Sequence, residues 1–340
     1  MKIIKGGICA VRGVRANGIK EGKNGLAVIV ADSKRLSSAG VFTRNKVIAA
    51  DEIGVASTGV IGRNLDKTWI AEHLDGVYNT LAASEDAGKA AARAIMTTDT
   101  YMKEVAVELD NGVRIGGMAK GSGMIEPNMG TMLAFLYTDA ALSKEVLDAC
   151  LRKAIDKSFN MVVVDGDTST NDMALITATG YMECGAEVFQ HGLDFVCQGL
   201  SKMIARDGEG ATRLIEARVT GAQSEDDARK AAKAIVRSPL VKTAIFGKDP
   251  NWGRVVAAVG YSGAEVDQDK ISLKFSDNKN EVMLVDSGRI VEGKLEELKS
   301  IMEGKEIFIE VALDLGDFEA TAWGCDLTYD YVKINAMYTT

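Results

Sequence analysis

Apolar residues recur at helical spacing over residues 66–81, where Ile70, Leu74 and Val77 share one face. The alanine-rich stretch 84–96 predicts a second helix, with Ser84 as its N-cap. The period then changes. Val105, Val107 and Leu109 alternate with polar residues up to Asp110-Asn111-Gly112, a hairpin signal, and Val113-Arg114-Ile115 reads as the returning strand. A glycine-punctuated loop follows from Gly116 through Lys120, Gly121 and Gly123 to Gly130. Thr131 then opens the apolar strand Met132-Leu133-Ala134-Phe135-Leu136-Tyr137.

Val146, Leu147, Cys150, Leu151, Ala154 and Ile155 place a helix after Ser143, and 161–164 reads as a buried strand ending at Asp165. Leu193, Val196, Cys197, Leu200, Met203 and Ile204 form another helical stripe. In the strand from Leu214, Glu216, Arg218 and Thr220 share a face opposite Ile215, Ala217 and Val219. Ser224, with Asp227 three residues on, caps a helix running to Ser238-Pro239. The C-terminal stretch, for example 307–313, reads mainly as strand. Strands and helices segregate rather than alternate strictly, which favours a layered α+β fold over a doubly wound sheet.

A chain of 340 residues with 46% hydrophobic residues buries a sizeable core in one large domain or two. Forty basic and 48 acidic residues give a net charge of −8, which argues against nucleic acid as a partner. No apolar run reaches membrane-spanning length, so no membrane partner is expected. Cys9, Cys150, Cys184, Cys197 and Cys325 are scattered without paired spacing, which fits a reducing cytoplasm better than a disulfide framework. The only histidines are His73, in a helical stretch, and His191, at an expected helix start. A histidine triad, a zinc site or any other metal or cofactor is not expected.

Nucleophilic chemistry here therefore needs another base. Gly130-Thr131 offers one, because cleavage before a threonine leaves its α-amine beside its own hydroxyl. The competing reading is a plain loop leading into a strand. The run 165–172, Asp-Gly-Asp-Thr-Ser-Thr-Asn-Asp, is either a solvated turn or a wall of a polar pocket. As a calcium loop it fails at Thr170 and Ile176. Thr58 and Gly59, in Ala56-Ser57-Thr58-Gly59-Val60-Ile61-Gly62, offer either oxyanion donors or an ordinary glycine turn. Residues 246–254 read as a pocket wall or a helix start.

These segments, with 95–100, 120–125, 131–135 and 331–336, resemble in order the glutamate N-acetyltransferase/ornithine acetyltransferase family of arginine biosynthesis. The resemblance implies a layered α/β/β/α fold of the self-cleaving N-terminal-nucleophile type. It implies cleavage between Gly130 and Thr131 into an α chain, 1–130, and a β chain, 131–340, that assemble into a heterotetramer. Thr131 would be the nucleophile, and Thr58 and Gly59 the oxyanion hole. Thr98, Lys120, Thr131, Glu216, Asn335 and Thr340 would bind substrate. The implied reaction is ping-pong acetyl transfer from N-acetylornithine to glutamate, with acetyl-CoA open as a further donor.

Two departures from the family pattern stand out. The chain is shorter by roughly fifty residues between Ala50 and Asp51, more than a βα unit, and Met337 occupies a position expected to be polar. The alternatives are a self-cleaving aminopeptidase or amidase of related fold, and an unprocessed, inactive binding protein.

Overall fold

Gly112 has φ +82°, the left-handed conformation that the Asp110-Asn111-Gly112 turn requires, and the chain reverses there. The computed structural model describes residues 1–33, 38–42, 49–50, 53–126 and 132–337. They divide into two units, one drawn from 1–160 and 167–204, the other from 161–166 and 205–337.

In the first unit the chain forms β1 (Lys2–Ile3), β2 (Val14–Glu21), β3 (Asn24–Ala31), β4 (Ser38–Phe42), β5 (Ala49–Ala50) and β6 (Ile53–Gly54). It continues with α1 (Lys67–Asn79), α2 (Glu85–Ala94), β7 (Lys103–Glu108), β8 (Arg114–Lys120), β9 (Leu133–Ala141) and α3 (Lys144–Asp156). After β10 (Val162–Val163), which belongs to the second unit, β11 (Met173–Glu183) and most of α4 (Ala186–Arg206) return to the first. Its main sheet has the order β1-β7-β8-β9-β11-β4. β8 runs antiparallel to β9, and β9 parallel to β11. β2 and β3 pair separately beside α2, and at the expected shortening β5 pairs with β6.

The glycine run begins inside the sheet, not in a loop: Gly116 to Lys120 are part of β8. The reason is close packing on both faces. A Cβ on Gly116 would lie 2.4 Å from the Gly7 carbonyl oxygen, and one on Gly117 would meet Leu136, Leu200 and Val196 within 3.0 Å. Glycine thus lets α4 settle on one face while Met118, on the other, joins a core of Ile8, Val11, Val14, Ala16 and Ala91. The loop proper starts at Gly121.

The second unit adds β12 (Leu214–Ala222), α5 (Glu225–Arg237), α6 (Pro239–Gly247), α7 (Gly253–Gly260), β13 (Ser272–Ser276), β14 (Glu281–Asp286) and β15 (Arg289–Ile290). It ends with α8 (Leu295–Ile301), β16 (Glu306–Ala312), β17 (Phe318–Cys325) and α9 (Tyr329–Met337). Its sheet has the order β10-β17-β12-β16-β13-β14-β15. α5 starts where the sequence predicts: Ser224 Oγ accepts the Asp227 N–H at 3.1 Å, a cap worth about 1 kcal/mol. Ala228, Ala231, Ala232, Ile235 and Val236 line its buried face against β12 and β17. Residues 246–254 are a helix exit and a helix start, with Lys248 in the left-handed cap conformation of α6. The stretch expected to be mainly strand also contains α8, whose Leu298 and Ile301 are buried, and α9.

Both units mix sheets with helices, so the chain is α+β. Two local expectations change. Leu74 is 43% exposed, because α1 buries only Val77. His191 lies inside α4, which begins five residues earlier, and its side chain is exposed. His73 stacks on Trp69 with ring centroids 4.3 Å apart. Among the described residues, no helix is long and apolar enough to cross a membrane.

Candidate functional site

Antiparallel pairing of β8 with β9, and parallel pairing of β9 with β11, brings three chain ends to one edge of the first unit's sheet. Lys120, Leu133 and Met173 lie in one row. Lys120 is the last residue of β8, while Leu133 and Met173 open β9 and β11. Leu133, the first residue of β9, therefore sits beside Lys120. Thr131 and Gly130, which belong to that segment, lie outside the described residues, as does Thr340.

Residue 132 is held through both of its peptide groups. Its carbonyl oxygen accepts the Met173 N–H at 3.1 Å, and its N–H donates to Asp172 Oδ1 at 2.6 Å. Asp172 is 1% exposed. Burial pushes its carboxyl up to about 7, against the pull of the Met132 N–H and the Lys120 charge.

Lys120 sits on a strand covered on both faces and is itself buried. Its Nζ donates to Thr97 Oγ1 at 3.2 Å. Desolvation lowers its pKa, and the charges of Asp99 and Asp172 only partly counter this. Asp99 ties the turn after α2 to the end of β8, accepting from Lys103 Nζ at 2.6 Å, Gly121 N at 2.7 Å and Thr97 N at 2.9 Å. Burial would raise the Asp99 carboxyl, but the Lys103 ammonium and these N–H groups outweigh it and hold it below its usual value. Thr98 is half-buried in this same turn. Lys20, from β2, closes the turn by donating to the Met96 carbonyl at 2.7 Å.

Thr58 and Gly59 lie in irregular chain after β6, with Thr58 half-buried and Gly59 exposed. Their neighbour Ser57 offers its carbonyl to Asn171 Nδ2 at 2.5 Å. The polar run 165–172 continues this linkage: Asp167 O accepts the Glu126 N–H at 2.9 Å, and Thr168 Oγ1 donates to Glu126 O at 3.0 Å. Residues 167–172 thus link the Thr58 segment, the loop after β8 and the start of β9. Asp167, Thr168 and Thr170 remain exposed, and only Asp172 is buried.

Glu216 and Asn335 belong to the second unit. Glu216 faces Trp323 across β12 and β17 and accepts its indole N–H at 2.9 Å. Asn335, exposed on α9, donates to Glu209 Oε2 at 2.9 Å and to the Tyr331 carbonyl at 3.1 Å. Met337 is 79% exposed near the end of the same helix. Asp99, Lys103 and Asp172 are buried here without a signal for it in the sequence. Asp99 and Lys103, four residues apart, look like a solvated pair, and Asp172 looks like one more turn residue.

A match to the ArgJ family spans residues 47–340. The chain is 55% identical to a glutamate N-acetyltransferase of Methanosarcina acetivorans over 399 aligned positions, which cover all of both chains. The alignment is longer than the 340-residue chain, so this chain lacks segments that its relative has. It is 44% identical to an arginine biosynthesis bifunctional protein ArgJ of Archaeoglobus fulgidus, covering 98% of this chain and 100% of that one. Among solved structures, the bifunctional protein argJ of Bacillus halodurans matches with a TM-score of 0.57 and 42% identity, over 60% of this chain and 98% of that one.

Proposed function

The chain belongs to the ArgJ family, an acyltransferase family of arginine biosynthesis, and from that premise we propose a reaction route through its residues. The chain cleaves itself between Gly130 and Thr131. The new N-terminal Thr131 takes the acetyl group of N-acetylornithine on its hydroxyl, ornithine leaves, and glutamate collects the acetyl group. The base is the Thr131 α-amine, whose ordinary pKa of about 7.7–8 suits the task. Thr58 and Gly59 stabilise the oxyanion that forms in each half-reaction. Lys120 and Thr98 receive the amino-acid substrates, and Glu216, Asn335 and Thr340 are the further substrate-binding residues of this reading. The α and β chains stay together in a heterotetramer in the cytoplasm.

The observation that carries this reading is the row Lys120–Leu133–Met173, which brings a buried lysine beside the first residue of β9, the strand that follows Thr131 in the sequence. A desolvated cation there suits a substrate carboxylate, because charge-assisted hydrogen bonds strengthen out of water.

The test is brief mixing of purified protein with N-acetylornithine alone. One acetyl mass should appear on the 131–340 fragment, then leave as N-acetylglutamate when glutamate is added. An active, cleaved protein that shows no adduct would contradict the covalent route, and free acetate without glutamate would indicate hydrolysis instead.

A further inference from the structure

We infer that Asp172 is a positioning residue for this reaction: its buried carboxylate grips the Met132 amide, the peptide group that follows Thr131 in the chain. The inference rests on the reading of Thr131 as nucleophile. The geometry is local and specific. β9 and β11 begin their parallel ladder at Leu133 and Met173, and the Met173 N–H already takes the Met132 carbonyl. The Met132 N–H goes instead to the Asp172 side chain. Residue 132 is thereby fixed at both ends, which restricts the backbone torsions that aim the residue before it. A reacting group displaced by about 1 Å can lose about 10²-fold in rate.

A neutral amide could accept the same N–H without the cost of burying a carboxylate. The charge is therefore the informative feature. The charge that acts on Asp172 is Lys120 on β8, and Lys120 in turn feels Asp99, Lys103 and, from β2, Lys20. An ionised Asp172 favours the protonated form of Lys120 and of an amine at residue 131 alike. With its carboxyl pushed up to about 7, Asp172 changes charge in the pH range where that amine must lose its proton to act as base.

Two variants separate bond from charge. Asp172→Asn keeps an oxygen for the Met132 N–H and removes the charge, whereas Asp172→Ala removes both. Each is purified, its thermal transition recorded, its cleavage scored by intact mass, and kcat and KM measured from pH 5 to 9. We expect the acid limb of kcat for Asp172→Asn to move to lower pH by about one unit, the scale of one nearby charge. For Asp172→Ala, kcat should fall about 10²-fold, with KM moving much less. A folded but uncleaved Asp172→Asn supports the inference at the cleavage step, where residue 131 must also be aimed. Folded, cleaved variants with the wild-type kcat and the wild-type acid limb overturn it while leaving the nucleophile intact. A wild-type protein that is active without an acetyl group on Thr131 overturns the nucleophile reading itself, and the inference with it.

Discussion

Lys120 in the first unit and Lys242 in the second are both 3% exposed, yet their ammonium groups are used differently. Lys242 reaches from α6 to the carbonyl oxygen of Cys325 at the end of β17, and its own carbonyl accepts the Leu327 N–H. Its neighbour Asp326 is similarly absorbed by the fold, accepting the backbone N–H groups of Thr212 at 2.8 Å and Arg213 at 2.9 Å. These charges staple a helix and a loop to a sheet end. Lys120 donates to a neutral hydroxyl, at a row where three strand ends converge and where Asp99, Lys103 and Asp172 are also buried. Burial of a charge does not mark a site. The two lysines differ in what the charge is bonded to and in which chain ends meet there.

The comparison can be broken by experiment. The largest effect is expected at Thr58: if it supplies an oxyanion donor, Thr58→Ala lowers kcat by about 10²–10³ while the thermal transition holds. Steady-state acetyl transfer measures this, and an unchanged kcat removes Thr58 from the mechanism. A smaller effect sharpens the contrast between the two lysines. Lys120→Met should raise KM for the amino-acid substrates about 10- to 100-fold, the loss of one hydrogen bond to a charged group. Lys242→Met should leave KM alone and lower stability by about 1–3 kcal/mol, because the buried Cys325 carbonyl loses its donor. Kinetics and thermal melts on the two variants decide. If Lys242→Met raises KM and Lys120→Met only melts early, the functional distinction between the two clusters fails.

Much of this was legible in local pattern. Ser224 with Asp227 fixes the start of α5, and Asp110-Asn111-Gly112 fixes the hairpin, because caps and turns depend on residues a few positions apart. Thr58, Lys120 and Thr98 are proposed from ordered motifs spread along the chain. What stayed hidden depended on long-range pairing. Gly116 and Gly117 look like loop residues until α4 and the Gly7–Ile8 segment pack against them. Asp172 looks like a solvated turn residue until the parallel ladder of β9 and β11 buries it beside Met132. Asp99 and Lys103 have the spacing of a helical surface pair, but they span a turn running into β7 and are buried together.

The central claim is that Thr131 becomes a free N-terminus and the nucleophile, and intact mass spectrometry of the purified chain tests it most directly. The account predicts two masses, those of residues 1–130 and 131–340, formed without added protease. It also predicts one uncut mass for Thr131→Ala. A wild-type protein that transfers acetyl groups as one uncut chain would contradict it, as would a Thr131→Ala variant cut at the same bond.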